Sequence, residues 1–301
     1  MANVMTFQIP GFEKKTVTVP SADGPIEIAC QLGGSGAPLL LLHGFPQSKA
    51  IWHRIAPELA RQYSIVVTDL RGYGDSSKPH GKDDHSTYSK RSMASDQHAV
   101  MQLLGHQQFF LLGHDRGARV SHRLAMDFPE SVLRLMVLDI SPTLSMYENT
   151  CMEFAKGYWH WFFLIQPEPV PETLIGANPE YWLKNHMGRH AGTDVFDPAC
   201  WLEYLAGVSN PEGMHAMCED YRASASIDLN HDRADRLAVK KLRMPLRVLW
   251  AEHGLVNKCC EPLDDWGRVA EEVSGKTLAC GHYIPEELPV ELLEEVKKFF
   301  R

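Results

Sequence analysis

The chain predicts an α/β fold: a mostly parallel sheet with helices on both faces and an inserted helical segment. Three observations carry that reading. Short apolar runs of strand length alternate with longer segments of helical period, a rhythm that calls for right-handed crossovers between parallel strands. One run, Phe109-Phe110-Leu111-Leu112, has no polar face, as a strand buried on both sides requires. Between 142 and 237 the rhythm changes, and the chain turns rich in Trp, Tyr, Phe and Met with helical periods only. The expected organisation is a core domain of 1–141 and 238–301 with a helical cap domain of 142–237 inserted between two strands.

In chain order, 15–20 and 26–32 alternate as an antiparallel pair joined at Ala22-Asp23-Gly24-Pro25, a turn signal. Gly33-Gly34-Ser35-Gly36 reads as a flexible loop, and 38–42 as a buried strand ending in His43-Gly44-Phe45-Pro46. A helix is predicted over 48–61, with Ser48 as N-cap and Ile51, Ile55 and Leu59 at four-residue spacing. A strand at 65–68 leads into the Gly-punctuated stretch Asp69-Leu70-Arg71-Gly72-Tyr73-Gly74-Asp75-Ser76, a structural loop. A helix over 91–104 precedes the Phe109 strand. A second helix over 117–127 follows it and stops before Pro129. The strand 135–138 is closed by Asp139. Past the insertion come strands at 246–250 and 276–278 and a closing helix over 288–300.

Composition removes several function classes. A hydrophobic fraction of 44% supports a sizeable core. A net charge of -8 with no Lys/Arg run argues against a nucleic-acid binder. An anionic substrate would therefore need local cations to attract it. The seven Cys are odd in number and scattered, with no CxxC pair, which points away from a disulfide framework or zinc site and toward a reducing cytoplasm. No basic-then-apolar leader and no run of membrane-spanning length occurs.

The chemistry concentrates at Gly113-His114-Asp115-Arg116-Gly117-Ala118-Arg119. Small residues around Asp115 suit a sharp strand-to-helix turn, where bulky neighbours would clash with the helix. A carboxylate lifted on such a turn is a poor nucleophile toward an ester. It can displace a leaving group from saturated carbon, forming an alkyl–enzyme ester that activated water then opens. The other reading of Asp115 is a helix cap. The turn at His43-Gly44-Phe45-Pro46 can aim the Phe45 N–H at the same point as the Arg116 N–H, an oxyanion hole; otherwise it is a simple loop. His282, in Cys280-Gly281-His282-Tyr283-Ile284-Pro285, follows the last strand as the candidate base. Asp139 and Glu252, each after a strand, compete as its orienting acid. Asp139 is favoured, because a short acid ending a buried strand is well held. Arg116 and Arg119, three apart on a first helical turn, share a face. Their planar forks fit a carboxylate, which implies a substrate whose carboxylate adjoins the carbon under attack. A salt bridge to an acid of the insertion is the alternative.

These motifs resemble the dehalogenase and epoxide-hydrolase branch of the α/β-hydrolase superfamily, and more narrowly the fluoroacetate (haloacetate) dehalogenases. The likeness spans nearly the whole chain, including Leu138-Asp139-Ile140-Ser141-Pro142-Thr143, Trp159-His160-Trp161-Phe162-Phe163 and Cys218-Glu219-Asp220-Tyr221-Arg222. Serine hydrolases of this fold carry Ser at the elbow. Haloalkane dehalogenases and soluble epoxide hydrolases typically carry Trp after the nucleophile, where this chain has Arg116. The resemblance implies an α/β-hydrolase fold with nucleophile, acid and His in that chain order. It also implies a halide pocket of His160, Trp161 and Tyr221, conversion of haloacetates to glycolate and halide, no metal or organic cofactor, and a homodimer. Trp182 is a further candidate for the pocket lining. Without the family, Trp159 to Phe163 would read as an aromatic core stripe. Two rival functions stand. An epoxide hydrolase would need two cap phenols, Tyr221 with Tyr147, Tyr158, Tyr181 or Tyr204. A non-enzymatic small-carboxylate binder would use the same fold.

Overall fold

The computed structural model describes residues 7–22 and 24–301. Its strands are β1 (Glu13–Val19), β2 (Ile26–Gly33), β3 (Ala37–Leu42), β4 (Tyr63–Thr68), β5 (Phe109–His114), β6 (Val132–Leu138), β7 (Leu246–Ala251) and β8 (Val273–Leu278). They form one sheet in the order β1-β2-β4-β3-β5-β6-β7-β8. The β1–β2 and β2–β4 pairs are antiparallel, and every later pair is parallel. The predicted antiparallel pair is thus β1 and β2; within its turn, Asp23 lies outside the described residues. β8 opens earlier than the apolar signal at 276–278, because Val273 to Lys276 pair in register with Leu246 to Leu249 although only Val273 among them is apolar.

The helices before the insertion are α1 (Ala56–Leu59), α2 (Lys90–Leu103) and α3 (Arg116–Asp127). Eight follow between β6 and β7: α4 (Thr143–Glu148), α5 (Met152–Gly157), α6 (Trp159–Leu164), α7 (Val170–Gly176), α8 (Pro179–Ala191), α9 (Pro198–Ser209), α10 (Pro211–Ser224) and α11 (Ile227–Leu237). The chain ends with α12 (Leu255–Cys259), α13 (Pro262–Gly267), α14 (Ile284–Glu287) and α15 (Pro289–Phe299). None of the described helices is long and apolar enough to cross a membrane, and all seven cysteines are free thiols.

Alternation along β5 decides what each face holds. Phe109 and Leu111 join the apolar cluster that contains α2 and α3 side chains such as Met93, Val100, Val120 and Leu124. Phe110 and Leu112 join a second cluster with Leu59 of α1 and Leu292 and Val296 of α15. Each such fully buried Leu or Phe contributes about 1.5–3 kcal/mol. β5 is therefore clamped near the centre of the sheet, and its C-terminal end is held from both faces.

Two expectations need correction. The helix expected over 48–61 is a 3-10 turn, Lys49–Arg54, followed by the short α1. Ser48 does cap it, accepting from the Ala50 N–H. Pro57 lacks an N–H and its ring would clash one turn back, so a continuous α-helix cannot form there. The glycine loop at 33–36 is a packed turn and not a slack one: Gly34 has φ +78, and a Cβ there would meet the Ala60 and Tyr63 carbonyl oxygens at 2.3 Å. The 69–76 loop is structural as expected. Its Asp69 accepts from Lys49 Nζ at 2.6 Å, and Arg71 pairs with Asp96 at 2.6 Å.

Candidate active site

The strand-to-helix turn falls where the sequence placed it. β5 ends at His114, α3 begins at Arg116, and Asp115 between them has φ 47 and ψ -116. A non-glycine residue held there costs about 1–3 kcal/mol and persists only where its surroundings over-determine it. They do so here: the Asp115 N–H donates to Leu138 O and its carbonyl accepts from the Arg119 N–H, each at 3.2 Å. The side chain does not cap α3. Instead Oδ1 accepts from the Phe45 N–H at 2.9 Å, so the capping alternative fails and one of the two expected oxyanion donors reaches the carboxylate. Gly44 makes that approach feasible, since a Cβ there would lie 2.5 Å from Asp115 Cβ. His43 braces the turn, accepting from the Leu70 N–H at 3.1 Å and donating from Nδ1 to Gly44 O at 2.9 Å.

His282 and its acid are brought to the same end of the sheet. His282 Nδ1 donates to Asp139 Oδ2 at 2.5 Å, and Asp139 Oδ1 accepts from the Ala251 N–H at 2.9 Å. Glu252 is exposed; Asp139 is the acid against the ring. With its proton on Nδ1, His282 turns the Nε2 lone pair toward Asp115, whose Oδ2 is 3.9 Å away, beyond direct hydrogen bonding. Burial pushes the His282 pKa down, but Asp139 and the Asp115 charge outweigh it, and the value lies above the usual 6.5. Burial likewise pushes the Asp115 carboxyl up, while His282, His114, Arg116 and Arg119 overcome this and hold it below its usual range. Asp115 is thus an ionised carboxylate at neutral pH. The sequence reading missed His114, the residue before Asp115: it is held neutral with a pKa of about 3, chiefly by burial, and its Nε2–H donates to His282 O at 2.8 Å.

The two arginines are not equivalent. Arg116 faces Asp220 of α10, with Nη2 to Oδ1 at 2.7 Å and Nε to Oδ2 at 3.2 Å. Asp220 also accepts from Lys90 Nζ, and from Tyr73 Oη at 2.6 Å. The salt bridge to an acid of the insertion is therefore present, yet it leaves Arg116 Nη1 buried with no protein partner. Arg119 has no carboxylate within ion-pair distance among the described residues. Its contacts are neutral: Ser141 O at 3.2 Å, Thr143 Oγ1 at 2.9 Å and Met146 Sδ at 3.1 Å. Its Nε too is buried without a partner.

Asp220 is the second residue the sequence reading missed as a functional support; an acid beside Tyr221 is a weak signal until the arginine facing it is known. Burial raises its pKa, but Arg116 and Lys90 pull the carboxyl well below its usual range. Its stabilising contribution is therefore complete above the ordinary carboxylate pKa and is lost only as pH falls below it. Asp220→Asn leaves two buried cations under-compensated. The expected cost is about 3–5 kcal/mol in denaturant unfolding at neutral pH, together with a raised KM for any carboxylate substrate.

Of the residues expected to bind halide, His160 and Tyr221 lie against Phe45, as does Trp182, and the Trp161 ring lies 6.4 Å from that of Tyr221. The Phe45 ring lies 6.2 Å from His160, 5.0 Å from Tyr221 and 5.8 Å from Trp182. Arg116 Cζ sits 4.1 Å from the Tyr221 ring centroid, and Arg119 Cζ 4.8 Å from that of Trp161, so both cations rest on aromatic faces. Burial first, then the Asp115 charge, raise the Tyr221 phenol well above its usual value. Burial, reinforced by Arg189, holds His160 well below its usual value. A neutral imidazole and an intact phenol are thus kept as donors. Trp161 is buried under Tyr147, Phe154 and Tyr158, so the aromatic-stripe reading of α6 holds for this residue.

A buried carboxylate on a strand-to-helix elbow, with its imidazole and acid, defines the class. The chain belongs to the α/β hydrolase fold family, which matches residues 37–284. Its kinship within that family is with dehalogenases and epoxide hydrolases. It is 43% identical to the fluoroacetate dehalogenase of a Burkholderia species over 96% of this chain and 94% of that one. It is 32% identical to the soluble epoxide hydrolase of Corynebacterium sp. (strain C12), over 89% of this chain and 91% of that one. A solved alpha/beta hydrolase from Nostoc sp PCC 7120 matches with a TM-score of 0.93 at 48% identity, over 97% and 99% of the two chains.

Proposed function

We propose that this protein is a hydrolytic haloacetate dehalogenase that converts fluoroacetate or chloroacetate to glycolate and halide. The observation that carries the reading is the pair Arg116 Nη1 and Arg119 Nε, buried guanidinium donors without protein partners beside an ionised Asp115. Buried donors are seldom left unpaired, and a substrate carboxylate satisfies both while setting its α-carbon against the nucleophile. An uncharged substrate could accept such a hydrogen bond but brings no negative charge to Arg119, which has no carboxylate within ion-pair distance among the described residues.

In the first step Asp115 attacks the α-carbon and the carbon–halogen bond breaks with inversion. The bonding pair leaves as halide toward His160, Trp161 and Tyr221. In the second step His282, oriented by Asp139, takes a proton from water as the oxygen adds to the Asp115 ester carbonyl. The Phe45 and Arg116 N–H groups hold the oxyanion. As the intermediate collapses, the bond from the carbonyl carbon to the glycolate oxygen breaks, protonated His282 returns its proton to that oxygen to give glycolate, and the Asp115 carboxyl loses its own proton to solvent to restore the carboxylate. As written, the reaction draws on no metal or organic cofactor. We further propose that 142–237 acts as a cap domain over the core of 1–141 and 238–301, keeping bulk water from the ester. The protein is proposed to work as a homodimer in the cytoplasm, a compartment that suits its seven free thiols.

The second reading, epoxide hydrolysis, draws on the Corynebacterium relative and on Tyr147, whose buried Oη has no partner. Fluoride-selective and chloride assays on purified protein with fluoroacetate and chloroacetate, run beside styrene oxide, separate the two. Halide release with no diol is expected. Diol formed from styrene oxide without halide release from either acid would overturn the dehalogenase reading.

A further inference from the structure

Arg189, near the end of α8, contacts two imidazoles beside the proposed halide pocket. Its Nη1 lies 3.1 Å from His186 Nδ1 and 3.4 Å from His160 Nδ1, and its Cζ is 5.8 Å from the centroid of Tyr158. A guanidinium stays protonated and can only donate. Each Nδ1 that faces it must therefore be the accepting nitrogen of its ring. A neutral imidazole carries one N–H, so the proton of His160 sits on Nε2. Protonation of both nitrogens is opposed by burial and by the charges of Arg189, His282 and Arg116.

We infer that Arg189 is a positioning residue for halide departure: through Nδ1 it fixes His160 as the Nε2–H tautomer, which can donate to a leaving halide. In the opposite tautomer Nε2 would present a lone pair and repel that anion. Among the described residues, the charged donor at His160 Nδ1 is Arg189, and the ring is otherwise flanked by the rings of Phe45, Tyr158, Trp159, His186 and Tyr221. The kinetic consequence rests on the haloacetate reading, whereas the tautomer itself does not. Fluoride binds a hydrogen-bond donor more strongly than chloride and is the poorer leaving group. Loss of the fixed donor should therefore penalise fluoroacetate more than chloroacetate.

The test pairs a spectroscopic readout with a kinetic one. Nitrogen-15 NMR of the ligand-free protein, with His160→Gln and His186→Gln for assignment, should place the His160 proton on Nε2. In Arg189→Met the resonances should shift toward a mixture of tautomers. The ratio of kcat for fluoroacetate to that for chloroacetate should fall on the order of tenfold or more. Arg189→Lys, which restores a donor-only cation, should recover most of both signals. A thermal unfolding curve matching wild type excludes a folding defect.

An Nδ1–H signal for His160 in the wild type overturns the inference. So does an Arg189→Met variant that raises KM equally for both acids with the kcat ratio unchanged, which would make Arg189 a carboxylate anchor. Wild-type protein that releases no halide would instead defeat the haloacetate reading, while the NMR result would still decide what Arg189 does to His160.

Discussion

Asp115→Asn should release neither fluoride from fluoroacetate nor chloride from chloroacetate, with turnover down on the order of 10⁴-fold or more. The amide keeps the shape of the carboxylate, and its oxygen can still accept the Phe45 N–H that Asp115 Oδ1 accepts now. Asn also tolerates the positive φ of 47 at this elbow, so the fold should survive. What is lost is the ionised oxygen that attacks carbon. Substrate binding should not weaken alongside. The variant removes a negative charge beside Arg119, which has no other acid against it among the described residues, so fluoroacetate should bind as well or better in a direct titration. Removing the same charge should lower the His282 pKa, because Asp115 is one of the groups that raise it. Turnover retained above about one per cent of wild type would mean the carboxylate is not the nucleophile.

His282→Gln should split the reaction in two. Halide is expected in a single burst of about one equivalent per site, after which steady turnover falls on the order of 10³–10⁴-fold. Intact-protein mass spectrometry should then find the carboxymethyl ester on Asp115. The physical basis is the division of labour in the site: displacement draws on Asp115, the cations and the halide donors but not on His282, whereas opening the ester needs the Nε2 lone pair. The pH dependence has a definite sign. Protonated His282 cannot take a proton from water, so ester hydrolysis fails as pH falls through its pKa, which lies above 6.5 in the free protein. Alkylation neutralises Asp115 and removes one cause of that elevation, so the limb for ester hydrolysis should lie below the value titrated in the free protein. The halide burst should continue at acidic pH where turnover has stopped. A variant that shows neither burst nor adduct would place His282 in the first step and contradict the mechanism.

Much of this site is legible in the sequence because its signals are local. The apolar run of β5, the small residues around Asp115 and the turn at His43-Gly44-Phe45-Pro46 describe one elbow whose geometry is set by near neighbours. The helix expected over 48–61 shows the limit of the same logic: the spacing of Ile51, Ile55 and Leu59 is helical, yet Pro57 interrupts the backbone that spacing assumes. The start of β8, where only Val273 is apolar, carries no apolar run because its strand character comes from pairing with β7.

The amino-acid sequence by itself determined an acid on an elbow, two candidate orienting acids, Asp139 and Glu252, each after a strand, and an imidazole after the last strand, because each depends on residue type at a short-range turn. Tertiary structure alone decided who partners whom. Asp139 meets His282 across 143 residues, while Glu252 faces solvent. Asp220 meets Arg116 across 104 residues and leaves Arg119 with no carboxylate within ion-pair distance among the described residues. Arg189 meets His160 across 29 residues, on a different helix of the insertion. Charges and lone pairs acquire their roles from what packs against them in a buried, low-dielectric site, and no periodicity along the chain encodes that packing.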